Sequence, residues 1–378
     1  MELANGLVRL HPDDLPALVR RCAGFLGGRD AVLLLVDLEQ LALHPLHDQT
    51  VGRFDVDAPD PGPGSAFRTE RILELAFDDG GDVQLWIPLM DSAERLGVIG
   101  VVVPPDRADR ELWTAFASLV GEALVSKAAY GDAIARTRHT RPVSLAAELR
   151  WSILPPLTFT SDQIEISGAL EPAYDIAGDT FDYAVNGNRV DLAVLDAMGH
   201  GLEASQIANL AVGQYRRSRR DGSSLGEMLK HIDEVIAEQF GDSRYVTGQL
   251  ATLDLETNRL AVVNAGHPRP LLFRGGIDQG DLDCRPCPPM GLGLVTTEES
   301  IHHLEPGEAV LFYTDGITEA RSPSGDEFGR DRLAQAVERS LQHHDRPSEV
   351  LRQLLLALAR YSTAPLQDDA SAILLHRP

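Results

Sequence analysis

The sequence has few cysteines, no long apolar run and no excess of positive charge, and each absence excludes a class of protein. Three cysteines in 378 residues cannot form the disulfide framework of a small secreted protein. No apolar run reaches the about 18–20 residues of a membrane span, and residues 1–10 lack the basic and apolar regions of a signal peptide. The net charge of −23 opposes binding to nucleic-acid phosphates and to anionic membranes. We therefore predict a cytoplasmic protein with no nucleic-acid partner and no membrane partner.

Two phosphate-handling motifs are also missing. The sequence has no Cys-x5-Arg loop, which argues against a cysteine phosphatase, and no Walker-type phosphate loop. Cys284 and Cys287 are spaced as a Cys-x-x-Cys pair, with His302 and His303 nearby. A zinc site needs four tetrahedral ligands, and adjacent histidines point in different directions. We therefore favour two reduced loop cysteines over a zinc centre.

The composition is that of a globular protein with room for two domains. Hydrophobic residues make up 43% of the chain and charged residues 24%. We predict an α+β domain over residues 1–107, a helical linker over 108–156 and a second domain over 157–378. The stretch from Arg95 to Gly100 resembles a strand of GAF-type sensor domains, which makes the first domain GAF-like. A PAS-like or other α/β domain is the alternative.

The predicted linker contains two helical patterns. In the first, apolar side chains recur at spacings of three and four residues, which is typical of a coiled coil. This pattern predicts a homodimer, although one helix packed on its own domain would show it too. The second helix begins at Ser144 and ends before Pro155-Pro156. The apolar stripes are Leu112, Phe116, Leu119, Ala123 and Leu124 in the first helix, and Leu145, Leu149 and Ile153 in the second.

The second domain alternates predicted strands and helices. Strands joined by short turns, with helices grouped between them, indicate an antiparallel sandwich flanked by helices and not a parallel sheet. The predicted strands are 164–170, 190–196, 247–255, 259–264, 271–274, 309–314 and 370–375. The predicted helices are 201–219, 225–240, 330–341 and 348–361.

Four positions in this domain place an acidic residue at the end of an apolar run or beside a glycine. A single Asp-Gly pair indicates only a turn. Four carboxylates at strand ends, beside residues small enough to admit carbonyl oxygens and water, suit a hard divalent cation. The four are Asp179 after Gly178, Asp196 after the run 192–195, Asp315 before Gly316, and Asp368-Asp369 before the run 370–375.

The order of these motifs resembles one family. The motifs are Gly178-Asp179-x-x-Asp182, Asp196-x-x-Gly199-His200-Gly201, Asn264-Ala265-Gly266-His267-Pro268, Thr314-Asp315-Gly316 and Asp368-Asp369. This series is similar to that of the bacterial PPM-type serine/threonine protein phosphatases of the SpoIIE and RsbU kind, over about residues 145–378. Ala177 stands where the family usually has glycine. The resemblance implies an α-β-β-α sandwich and two Mn²⁺ or Mg²⁺ ions.

The resemblance also implies a role for each residue. Asp196 would bridge the two ions, and the Ala197 carbonyl would be a further ligand. Asp179 would bind one ion, and Asp315 with Asp368 the other. Three positions stay open. Asp369 is an alternative to Asp368, Asp182 would bond a metal-bound water or support its loop, and His200 would act as a catalytic acid or only shape the turn.

We accordingly predict a metal-dependent protein serine/threonine phosphatase regulated by its first domain. The resemblance implies a phosphorylated STAS-domain protein as substrate, and thereby regulation of a sigma factor. One alternative is a catalytically weak, metal-stabilised binding module in a signalling complex. Another is a phosphatase acting on a different phosphoester.

Overall fold

The computed structural model describes residues 10–47, 51–77, 81–175, 178–343, 346–362, 366 and 368–378. They form two compact units, Met1–Pro142 and Val143–Pro378. Ala177 and nearly all of the N-terminal segment 1–10 lie outside the described residues. Within the described ranges, no helix is both long enough and apolar enough to cross a bilayer.

The first unit contains one antiparallel sheet with the strand order β3-β2-β1-β6-β5-β4. Side chains alternate across it, so Leu33 and Leu35 face one core and Leu34 and Val36 face the other. The strands are β1 (Arg29–Val36), β2 (Ala42–Pro45), β3 (Phe54–Asp55), β4 (Leu73–Ala76), β5 (Val83–Asp91) and β6 (Glu94–Val103). The helices are α1 (Leu15–Phe25), α2 (Pro63–Thr69), α3 (Arg110–Ala128) and α4 (Ala133–Arg138).

Helix α3, which the sequence predicted as the start of a linker, packs on this sheet instead. Trp113, Phe116 and Val120 are buried in the core that α3 shares with α1 and the sheet. The predicted stripe is split, because Leu112 and Leu119 are 43% and 49% exposed. The sequence pattern did not separate the two faces, since apolar residues lie on both. The first unit therefore extends well past residue 107.

The second unit contains two six-stranded sheets. One has the order β15-β12-β11-β10-β9 with β16 also paired to β12, and the other has the order β14-β13-β17-β18-β8-β7. The strands are β7 (Thr158–Thr160), β8 (Glu165–Glu171), β9 (Asp179–Asn186), β10 (Arg189–Ala197), β11 (Val246–Asp254), β12 (Arg259–Ala265), β13 (Leu271–Arg274), β14 (Ile277–Asp281), β15 (Pro286–Cys287), β16 (Ser300–His303), β17 (Glu308–Tyr313) and β18 (Ala370–His376). The helices are α5 (Leu145–Ile153), α6 (Gly201–Arg220), α7 (Leu225–Phe240), α8 (Asp315–Glu319), α9 (Gly329–His343) and α10 (Pro347–Ser362).

The two sheets face each other and carry helices on their outer sides. On β17, Val310 and Phe312 point into the core between the sheets, whereas Leu311 points towards α9 and α10. On β10, Val194 faces the same central core and Leu195 faces α6 and α7. Alternate side chains thus build three successive cores, and the layers read α-β-β-α. The predicted fold class is confirmed for this unit.

All seven strands and four helices predicted for this domain are present within one or two residues of their expected ends. Strand β9, which carries Asp179, was not predicted, because its polar residues obscure the apolar alternation. The buried face of α5 also differs from the prediction. The predicted stripe of Leu145, Leu149 and Ile153 is not the buried face, since Leu145 is exposed. The side chains that are buried belong to Ala146, Ala147 and Arg150.

Candidate active site

Each sheet of the second unit brings acidic residues to the same edge of the sandwich. Asp179 begins β9 and Asp196 lies near the end of β10, and the two are direct cross-strand partners. In the other sheet, Asp315 follows the end of β17, and Asp368-Asp369 immediately precedes its antiparallel neighbour β18. Antiparallel pairing therefore gathers one set of carboxylates at a strand end of each sheet.

Hydrogen bonds join the two sets across the sandwich. The Thr314 hydroxyl donates to Asp179 Oδ2 over 2.6 Å, and Thr314 Oγ1 itself accepts from the Ser371 amide over 2.9 Å. Asp369 Oδ2 accepts from the amides of Gly178 and Asp179, over 2.6 and 3.2 Å. Thr314 and the Asp369 carboxylate therefore hold the start of β9 against the β17–β18 edge. Sequence reasoning included Thr314 in a motif but gave it no role, and the structure places it directly before α8.

Two glycines permit this close approach. A Cβ on Gly316 would lie 1.9 Å from the Asp369 carbonyl oxygen, so only glycine fits behind Asp315. A Cβ on Gly178 would lie 2.6 Å from the Ala197 carbonyl oxygen. The Ala197 amide in turn donates to the Gly178 carbonyl over 3.2 Å. The glycines beside the carboxylates are thus required by packing between strands.

The pKa values of three carboxyl groups in this site are raised, which favours their protonated forms. Burial, followed by the charges of Asp196 and Asp369, raises the pKa of Asp179 well above its ordinary value. Burial and the charges of Asp315, Asp368 and Asp369 raise the pKa of Asp196 to about 7. The pKa of Asp315 is raised by burial and by Asp368. Like charges close together in a low-dielectric site disfavour ionisation, and a bound cation would reverse that effect.

The donor atoms of these carboxylates are of the kind that a hard cation prefers, although their present arrangement does not form a complete ligand shell. All the donors are carboxylates or backbone carbonyls, which Mg²⁺ and Mn²⁺ prefer. Within the described ranges, no group of three or more His, Cys, Asp or Glu side chains is arranged to hold a metal ion as it stands. Cys284 and Cys287 likewise belong to no such group among the described residues, and both are free thiols.

A buried guanidinium contributes a positive charge near the carboxylates. Arg150, on α5, has 0% of its surface exposed, and its Nη1 donates to Asn209 Oδ1 on α6 over 3.2 Å. Burial lowers the pKa of Arg150 to about 10, and the charges of Asp179 and Asp369 oppose that shift. Sequence reasoning gave Arg150 no role, because the apolar pattern of the helix does not show what an arginine within it would contact.

Asp182 lies on the same strand as Asp179 but belongs to a different cluster. Its Oδ1 accepts from Arg216 over 2.7 Å and its Oδ2 accepts from Arg219 over 2.7 Å. Arg216 also donates to the Ile153 carbonyl at the end of α5. Asp182 therefore ties β9 to α6 and α5, which supports the structural alternative for this residue.

His200 stands in an exposed turn between β10 and α6. It is the residue preceding the first turn of α6, and Gly199 and Gly201 on either side have φ values of 103° and 68°. Such positive values favour glycine, which explains the Gly-His-Gly motif. No hydrogen bond from the His200 side chain caps the helix. Both roles considered for His200, turn formation and proton donation, are compatible with this position.

The family model for Stage II sporulation protein E (SpoIIE) matches residues 186–378, which is half of the chain. The protein belongs to the SpoIIE family. The match includes Asp196, Asp315, Asp368 and Asp369, while Asp179 lies just before it. The resemblance to PPM-type phosphatases of the SpoIIE kind is thereby confirmed, and the named relatives confirm the predicted class of protein serine/threonine phosphatase.

Named relatives of this SpoIIE-family protein are consistent with that assignment. The chain is 21% identical to phosphoserine phosphatase RsbU of Bacillus subtilis over 62% of its length and 70% of RsbU. It is 27% identical to phosphoserine phosphatase RsbP of the same organism, over 47% of its length but only 45% of RsbP. The SiaA PP2C domain of Pseudomonas aeruginosa superposes with a TM-score of 0.51, at 21% identity, over 62% of this chain and 94% of that domain. This last match concerns the fold alone.

Proposed function

We propose that the protein hydrolyses phosphoserine or phosphothreonine in a partner protein, using two Mn²⁺ or Mg²⁺ ions. The observation that carries this proposal is the meeting of carboxylates from both sheets at one edge of the sandwich. The pKa values of Asp179, Asp196 and Asp315 are all raised there. A stable fold gains nothing from such repulsion, so we infer that the cluster is retained to bind cations.

Each residue has a distinct place in the proposed site. The bound ions would supply an activated water and neutralise the phosphoryl oxygens. Asp196, whose carboxylate interacts electrostatically with the acids of the other sheet, would bridge both ions, while Asp179 and the Ala197 carbonyl would serve one of them. Asp315 and Asp368 would serve the other. Asp369 is the weaker candidate, because its Oδ2 already accepts from two backbone amides.

His200 is proposed as the residue that protonates the serine leaving group. Its exposed position next to the Asp196 strand end would let a substrate approach the imidazole. General acid catalysis of this kind contributes about 10²–10⁴-fold. His200→Gln should therefore lower kcat for a phosphoserine peptide far more than kcat for an aryl phosphate, whose leaving group needs no proton. Equal losses on both substrates would remove His200 from the mechanism.

The decisive experiment is hydrolysis of an aryl phosphate by the full chain, with and without Mn²⁺. Turnover should require the metal and should disappear in Asp315→Asn, which keeps the shape of the side chain but removes its charge. Asp331→Asn is the matched control, since its side chain is 89% exposed. Metal-independent turnover, or full activity in Asp315→Asn, would contradict the proposal. If the full chain is silent, the unit Val143–Pro378 should be assayed alone, and silence there too would favour the binding-module alternative.

The proposed substrate is a phosphorylated STAS-domain protein acting in the control of a sigma factor. This proposal rests on the family and on its relatives RsbU and RsbP, which are named phosphoserine phosphatases. Purified protein should dephosphorylate such a phosphoprotein much faster than free phosphoserine or a nucleotide. Equal rates on all three would indicate a different phosphoester substrate.

We propose that the first unit is a GAF-like sensor and that the chain forms a homodimer through α3. Leu112 and Leu119 support the dimer, because they are half-exposed and lie two turns apart on one side of this helix. Light scattering at high micromolar concentration should give twice the monomer mass, and the double variant Leu112→Glu, Leu119→Glu should give the monomer. A monomeric parent protein would exclude this interface.

A further inference from the structure

The motif Asn264-Ala265-Gly266-His267 has no assigned role, yet the structure constrains it closely. Asn264 Oδ1 accepts from the His267 amide over 2.8 Å, and its Nδ2 donates to the His267 carbonyl over 2.9 Å. Gly266, between them, has φ 64°, which turns the chain back at the end of β12. Asn264 and Gly266 therefore hold the backbone of His267 in one position.

That position directs the His267 side chain to the neighbouring strand. His267 is 6% exposed, and burial lowers its pKa to about 4, so the ring is neutral at physiological pH. Its Nδ1 lies 2.9 Å from Thr247 Oγ1 on β11. A hydrogen bond to a threonine hydroxyl fixes the rotation of that hydroxyl, which would otherwise be free.

Thr247 connects this histidine to the central carboxylate of the site. Thr247 is the cross-strand partner of Asp196, and its Oγ1 lies 3.4 Å from Asp196 Oδ2. The three side chains thus form a row that leads from a buried loop to the carboxylate proposed to bridge the two ions. The 3.4 Å distance between Thr247 Oγ1 and Asp196 Oδ2 is long for a hydrogen bond. It suits an Asp196 oxygen that is shared between this hydroxyl and the proposed cation.

We propose that His267 and Thr247 are positioning residues that orient Asp196 for metal binding. When Asp196 is anionic, the Thr247 hydroxyl donates its one hydrogen bond to Asp196 Oδ2. Thr247 Oγ1 then accepts a hydrogen bond from Nδ1–H of His267. This inference rests on the proposed metal-dependent function. It adds to that function the two residues that would hold Asp196 in its bridging orientation. A carboxylate expected to bridge two ions must keep both oxygens correctly directed, and outer hydrogen-bond partners commonly contribute 10–100-fold to metal affinity.

The same pair of strands offers a matched control. Thr252 on β11 is the cross-strand partner of Asp191 on β10, and its Oγ1 donates to Asp191 Oδ1 over 2.9 Å. Thr247 and Thr252 are five residues apart, about 17 Å along an extended strand. Replacement of either by valine removes one hydroxyl from a Thr–Asp pair at nearly constant volume. Only Thr247 faces the proposed metal site.

The test is calorimetric titration of the full chain with MnCl₂, which needs no turnover. Thr247→Val should weaken Mn²⁺ binding about 10-fold, whereas Thr252→Val should change it less than about twofold. His267→Asn places an amide where Nδ1 was and should bind nearly as well as the parent. His267→Gln, which reaches the position of Nε2 instead, should bind about as weakly as Thr247→Val. Melting in EDTA shows whether each variant is folded.

The outcomes separate this inference from the function on which it rests. A parent protein that does not bind Mn²⁺ would overturn the proposed metal site itself. A parent that binds, with equal affinities in Thr247→Val and Thr252→Val, would overturn the positioning role alone. If His267 only packs the loop, His267→Asn and His267→Gln should be equally affected, which would also count against the proposal. Rescue of Mn²⁺ affinity by Thr247→Ser would support it.

Discussion

Asp179 and Asp182 lie three residues apart on one strand and are almost equally buried, at 2% and 1% exposure. Their neighbours have opposite charges. Asp182 is enclosed by Arg216 and Arg219, whereas Asp179 accepts from the hydroxyl of Thr314 and lies close to other carboxylates. One acid is neutralised by the chain itself. The other is placed where only an added cation would neutralise it fully.

The difference shows how a buried acid can be classified from its surroundings. A buried charge is tolerated when it is paired and hydrogen-bonded, and breaking the pair is costly. A buried acid among other acids lowers stability until something positive binds. The sign of the neighbouring charge therefore distinguishes a residue that holds the fold from one that serves the site, where burial alone does not.

The largest expected effect comes from exchanging the two acids for their amides. Asp179→Asn should reduce Mn²⁺-dependent turnover by about 100-fold or more with little loss of stability. Asp182→Asn should instead lower the free energy of unfolding by about 2–4 kcal/mol, since Arg216 and Arg219 lose their partner. Turnover and thermal melting of both variants check this. A stable but inactive Asp182→Asn would break the distinction.

A second prediction concerns stability without metal. The pKa of Asp196 is raised to about 7 in the folded protein from an ordinary value of 3.8. The folded state then binds more protons than the unfolded state between those values, so the free energy of unfolding should fall as pH rises from about 4 to about 7. In EDTA at pH 7.5, Asp196→Asn should therefore melt a few degrees higher than the parent.

The matched variant for this measurement is Asp191→Asn at the other end of β10. Asp191 accepts from Arg189 and from Thr252, so its replacement should lower the melting temperature in EDTA. If Asp196→Asn melts lower than the parent at pH 7.5, the carboxylate cluster does not carry the repulsion described above.

The smallest effect is expected at Arg150, whose charge lies near Asp179 and Asp369. Arg150→Met keeps the volume of the side chain but removes its charge. The melting temperature in EDTA should fall, because the carboxylates lose a favourable neighbour. Mn²⁺ should bind a few-fold more tightly, because the incoming cation is no longer opposed by a guanidinium. Weaker Mn²⁺ binding in this variant would assign Arg150 to the support of the ligands.

The sequence predicted most of the architecture of the second unit, because its strands and helices follow simple apolar periods. These apolar periods predicted, for example, the strand that contains Val310 to Phe312 and the helix Leu225–Phe240. The Asp-Gly pair at Asp315 marked the end of β17 correctly, but the structure begins α8 there where the sequence predicted only a turn. The family followed from the order of such motifs, and the family model confirmed it.

The parts that could not be predicted depend on contacts between distant segments. The spacing of Asp179 and Asp182 says nothing about which of them meets Arg216. The second helix of the predicted linker looked apolar on one side, yet its buried face carries Arg150, whose partner Asn209 is 59 residues away. The sequence also could not show which face of α3 is buried. Trp113 and Leu112 are adjacent in sequence, yet the first is buried and the second is 43% exposed.

The site lies on a seam between two sheets, and this has a mechanical consequence. Thr314 and Asp369 of one sheet bond to Asp179 and Gly178 of the other, so the ligand set exists only while both sheets keep their relative position. The alignment of the sheets is maintained by the central core, including Phe181, Phe312 and Ile373. If one sheet moved far enough to break these hydrogen bonds, the ligands would separate while each sheet stayed intact. Activity should therefore respond to loosening of that distant core well before the domain unfolds.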